Sequence, residues 1–93
     1  MTGEHLDTIL KNAQAKTEKD GYANLPEGAS LTLYIAHDGV ALTVARVEAM
    51  KVEGELVHAR TVKGERYSIG RSDLFAVAID GAVGQPARRA GFG

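Results

Sequence analysis

Between Ser30 and Asp80 the chain is cut into short apolar-rich runs by closely spaced turn signals, and that spacing constrains the fold more than any other feature. Asp38-Gly39, Glu53-Gly54 and Lys63-Gly64 are turn dipeptides, and Gly70-Arg71-Ser72-Asp73 is a tight connection. The runs between them read as strands. Leu31, Leu33 and Ile35 alternate with Thr32, Tyr34 and Ala36, the period of two expected of a half-buried strand. Val40 to Val52 is rich in β-branched residues, but its parity changes. Leu42 and Val44 share one phase, and Val47 and Ala49 share the other. A bulge or sharp bend near Ala45–Val47 accounts for that change. A helix over Ala41–Met50 is the competing reading. Glu55–Val62 and Glu65–Ile69 are the next strands. Leu74–Ile79 is the last and is almost wholly apolar, which predicts a strand central in its sheet or buried on both faces.

The segment before Ser30 has a different period. Leu6, Ile9, Leu10 and Ala13 fall on one helical face, so a helix is expected over residues 4–19. Thr2 or Gly3 serves as its N-cap, Gly21 as its stop. Acids near the start and lysines later suit the helix dipole. Residues 22–29, with Pro26 and Gly28, form a connection. The expected class is therefore mainly β (α+β): an N-terminal amphipathic helix, then a five-stranded antiparallel meander. Such a meander bends readily into a small barrel, which removes exposed edges. Residues 1–80 form one domain on this reading. Residues 81–93 carry Arg88 and Arg89 and no acid, and read as a flexible basic tail.

Composition narrows the classes of function. The chain has 93 residues and no cysteine, so disulfides, thiolate metal sites and cysteine nucleophiles are excluded. The cytoplasm is the expected compartment, because small secreted domains usually need disulfides. No signal peptide is visible, and no run approaches a membrane span. With two Phe, three Tyr and no Trp, the core must be aliphatic. A small aliphatic core gains from association, so a homo-oligomer or a protein partner is expected. Net charge is −1 overall. The middle of the chain is not basic, which argues against strong phosphate-driven binding.

A helix followed by five strands resembles the Sm-like and wider SH3-like small barrels. The most similar piece is Ile69-Gly70-Arg71-Ser72-Asp73-Leu74-Phe75-Ala76-Val77. It is similar to the second Sm signature, in which Ile-Arg-Gly-Asp/Asn precedes an apolar last strand. Gly70 and Arg71 stand in the opposite order. The first signature, an Asp and an Asn in the preceding hairpin after a glycine in a bent strand, has no counterpart: Glu48 and Lys51 lie nearby, there is no matching Asn, and no glycine lies between Gly39 and Gly54. The resemblance implies the barrel shape, and the family's RNA-base pocket is not carried over.

Motifs for chemistry are sparse. His5, His37 and His58 form no metal-spaced pair, so no metal or other cofactor is expected. Ser68, His58 and Asp73 supply the residue types of a triad. Ser68 lacks a nucleophile-elbow glycine before it, and Asp73 suits a turn cap, so no catalysis is assigned to the set. Gly81-Ala-Val-Gly84 has a GxxG spacing but follows a strand, so it reads as a linker. The leading expectation is a non-enzymatic interaction or self-assembling module. Its candidate contacts are Leu6, Ile9 and Leu10 on the helix and Arg88, Arg89 and Phe92 in the tail. The helix stripe also has an intramolecular reading, as a cap on the β-unit. The alternative function is nucleic-acid binding by Arg46, Arg60, Arg66, Arg71 and Tyr67, with Tyr34, Lys51 and Lys63 nearby. Interleaved glutamates favour an ordinary mixed-charge surface instead.

Overall fold

The computed structural model describes residues 1–81. Helix α1 spans Gly3–Asn12. Thr2 caps it, its side chain accepting a hydrogen bond from the His5 amide at 3.1 Å. The helix is shorter than the expected 4–19. Ala13, fully buried, is the C-cap, and Gln14 turns the chain out at φ 60°. The apolar stripe ends at Ala13, so another helical turn would bury nothing. The chain instead forms a miniature hairpin of β1 (Lys16–Thr17) and β2 (Ala23–Asn24). Gly21, at φ 88°, lies in the turn of that hairpin and does not end the helix.

The five expected strands are all present: β3 (Ser30–His37), β4 (Val40–Glu53), β5 (Leu56–Thr61), β6 (Arg66–Gly70) and β7 (Leu74–Asp80). A single 3-10 turn, Arg71–Asp73, joins the last two. Asp38 and Gly39 both have positive φ, as a tight two-residue hairpin turn requires. Every pairing is antiparallel. The order is β1-β2-β4-β3-β7, with β5 on β4 and β6 on β5.

Strand β4 organises the sheet. Its first half pairs with β3, and its second half lies between β5 and β2. Leu31 faces Val47 and Leu33 faces Val44, so two residues of β4, Ala45 and Arg46, stand opposite Thr32 alone of β3. Arg46 sits in that bulge at φ 60°. The parity change in the sequence is thus a bend in a strand, and the helical reading of Ala41–Met50 is set aside. A β-branched residue at this φ is strained, whereas glycine is not. Arg46→Val therefore lowers stability by about 1–2 kcal/mol. Arg46→Gly leaves it level or higher, and urea unfolding of the two variants checks the contrast.

The bent sheet curls into a half-barrel. Leu31, Leu33, Ile35, Val44, Val47, Met50, Val57, Ala59, Ile69 and Leu74 form one buried cluster. Leu6 and Ala13 of the helical segment join it, so α1 docks on the inner face. The curl stops short of closure. Among the described residues β7 pairs with β3 alone and β6 with β5 alone. This corrects the reading of β7 as central. Only Leu74 is fully buried in it, while Phe75 is 61% exposed and Ile79 is 41% exposed. An apolar run of this kind satisfies the pattern of a central strand without any neighbour to make it one.

Candidate functional site

The clearest unsatisfied feature is the β7 end of the sheet. Leu31, Leu33 and Ile35 of β3 point inward, which sends Tyr34 to the outer face. Tyr34 pairs with Ala76 and Ile35 with Leu74, so Phe75 is an extra residue in a bulge. The bulge brings Phe75 to the Tyr34 side, with ring centroids 6.3 Å apart and planes tilted by 45°. At its far end β7 is tied back by Thr32, whose hydroxyl donates to Asp80 at 3.1 Å. Between these points lie Ala76, Val77, Ala78 and Ile79, with no charge and no proline. Edge strands in isolated proteins are usually blunted by such residues.

The residues expected to act from the helix are placed otherwise. Leu6 is fully buried in its own chain, and Leu10 packs against the core, so the capping role holds for these two. Ile9 is half-buried. Arg88, Arg89 and Phe92, like residues 82–93 as a whole, lie outside the described residues.

The basic set is dispersed. Arg60 and Arg66 are cross-strand partners. Arg60 is committed: it donates to Glu48 at 2.9 Å and to Asn24 at 2.8 Å, and its guanidinium lies 5.6 Å from the Tyr22 ring centre. Arg66 is exposed. Arg46 occupies the β4 bulge. Arg71 donates to the Gly54 carbonyl at 2.9 Å. Tyr67 packs against the core. Lys51 is half-buried and Lys63 exposed.

One polar cluster had no assigned role in the sequence. Ser68 and His58 are cross-strand partners, and their Oγ and Nδ1 atoms lie 2.9 Å apart. His58 Nε2 lies 3.1 Å from Glu53 Oε1. Asp73, the acid grouped with them from sequence, is instead 3.0 Å from His37 Nδ1. The signal for Glu53 was available in the hairpin register. Lys51 faces His58 across β4 and β5, so Glu53, two residues on, is the diagonal neighbour on the same face. Among the described residues no group of three His, Asp or Glu converges to hold a metal ion. No helix among them is long and apolar enough to cross a membrane.

The fold and this site define a small curled-sheet domain whose apolar strand β7 is paired on one side only among the described residues. Compared with family models, curated proteins and solved structures, the chain matches none.

Proposed function

We propose that the chain is a self-assembling interaction module in which a second copy adds a strand to β7. The observation that carries this reading is β7 itself, a seven-residue strand paired on one side only among the described residues, with Phe75 and Ile79 exposed. Strand addition supplies main-chain hydrogen bonds to an open edge and covers alternate side chains. Fully covering an exposed Phe or Ile contributes about 1.5–3 kcal/mol. A second copy is the fitting partner because the same sheet carries another strand paired on one side only among the described residues, β6, which branches from β4 through β5. Laid antiparallel on β7, β6 directs its first residue, Arg66, towards the last residue of β7, Asp80. That charge match favours the β6–β7 joint over two β7 edges meeting.

Against a nucleic-acid face stand the commitment of Arg60 to Glu48 and the inward placement of Tyr67.

Light scattering over a concentration series tests the proposal, with assembly above the monomer mass as the expected result. Arg66→Asp sets like charges together and weakens assembly at least tenfold, since such juxtapositions cost several kcal/mol. Adding Asp80→Arg to that variant restores it. A chain that stays monomeric throughout, or a reversal at Arg66 with no effect, would overturn the proposal.

A further inference from the structure

The Glu53–His58–Ser68 cluster has a chemical order that strand pairing does not need. A carboxylate only accepts hydrogen bonds, so in the neutral imidazole Glu53 sets the proton on Nε2. Nδ1 then holds a lone pair, and Ser68 donates its hydroxyl hydrogen to it across 2.9 Å. This is the tautomer a general base requires. The backbone holds the arrangement, since all three residues lie on paired strands. The His58 side chain is only 23% exposed, which limits its freedom to turn away. Ser68 is an exposed residue on β6. Arg66, two residues before Ser68 and also exposed, provides positive charge on that side of β6.

We propose that Ser68 is an activated nucleophile that takes an acyl group from small activated esters, a reactivity beyond the strand-pairing role. In the first step the Ser68 oxygen bonds to the ester carbonyl carbon, and the bond from that carbon to the leaving oxygen breaks. The Ser68 proton passes to His58 Nδ1, which delivers it to the leaving alkoxide. Water then attacks the acyl-serine with the same base, releases the carboxylic acid and restores the hydroxyl. Glu53 is a positioning residue that sets the tautomer. The open sheet surface admits small donors without selecting among acyl chains.

The test mixes the full chain with p-nitrophenyl acetate, follows nitrophenolate release, and maps the acetyl group by peptide mass. The expected result is a burst of at most one nitrophenolate per chain, with acetyl on Ser68. Ser68→Ala removes the burst; the burst is read by nitrophenolate release and assembly by light scattering on the unaltered chain, so this inference and the strand-pairing proposal fail separately. His58→Gln slows the burst about a hundredfold, the scale of general-base assistance. Glu53→Gln slows the burst less, with an unchanged thermal midpoint. Acetyl found only on lysines, or on Ser68 at the same rate in His58→Gln, would overturn the inference.

Discussion

Replacing Gly81 by alanine is expected to lower stability by about 3 kcal/mol, combining left-handed backbone strain of roughly 1–2 kcal/mol with a clash of similar size. Gly81 leaves β7 at φ +101°, a conformation that L residues rarely adopt. A Cβ there would also press on the Gly28 carbonyl oxygen and come within 2.8 Å of the Ala29 Cα. These are main-chain atoms of the connection entering β3, and they cannot rotate aside as a lysine tip does. Relief requires moving the start of β3 or the end of β7. The Ser30–Asp80 and Leu31–Ile79 pairs then loosen at the edge proposed to receive a second copy. Gly28→Ala is the control. Gly28 has φ +88° but nothing within 4 Å of the added carbon, so it suffers the strain without the clash. For a domain of this size each kcal/mol moves the thermal midpoint by about 4–8 °C. The Gly81 variant should therefore melt more than about 10 °C lower, and the Gly28 variant by half of that or less. Equal losses at the two sites would sink the packing argument.

Leu33→Ala is expected to cost about 2–5 kcal/mol, the range for removing a fully buried leucine side chain from a packed core. Leu33 is inaccessible to solvent and sits at the middle of β3, facing Val44 on one side and Val77 on the other. Three strands meet around it, so little can collapse into the space left behind. A domain of roughly 80 residues has about 4–12 kcal/mol of total stability, so the loss takes a large share of it. Urea unfolding should show a lower midpoint with an unchanged slope. Ala36→Ser, an exposed change on the same strand, should alter stability by less than about 0.5 kcal/mol. Similar midpoints for the two variants would mean that the inward and outward faces of β3 are assigned wrongly.

The two regions of the molecule differed in how much the sequence disclosed. The five strands from Ser30 to Asp80 were legible because each is bounded by a turn whose backbone only a few residues allow. The bend in β4 was legible too, since a change of parity within one strand leaves inward side chains aligned only if a residue is bulged out. The end of α1 was misread because Lys16 and Lys19 suit a helix as well as a hairpin. What decided between them was the absence of further apolar surface after Ala13. The polar cluster was half legible. Residue type alone offers Ser68 and His58 with Asp73 as their acid, whereas the acid beside His58 is Glu53 and Asp73 lies beside His37. Residue type says nothing of reach, and reach follows from register.

By itself, then, the sequence determined most of the elements: the start of an amphipathic helix but not its end, five antiparallel strands, the place of the bend and an aliphatic core. These follow from local rules, because turn chemistry and side-chain period act over a few residues. Tertiary structure alone decided which strands lie at the ends of the sheet. The apolar run Leu74–Ile79 was read as a central strand, yet it forms an edge paired only with β3 among the described residues. An apolar pattern records that a strand is meant to be covered and carries no information on which chain does the covering. That depends on how far the sheet curls, a sum of twist and bulges over many strands that no single segment encodes.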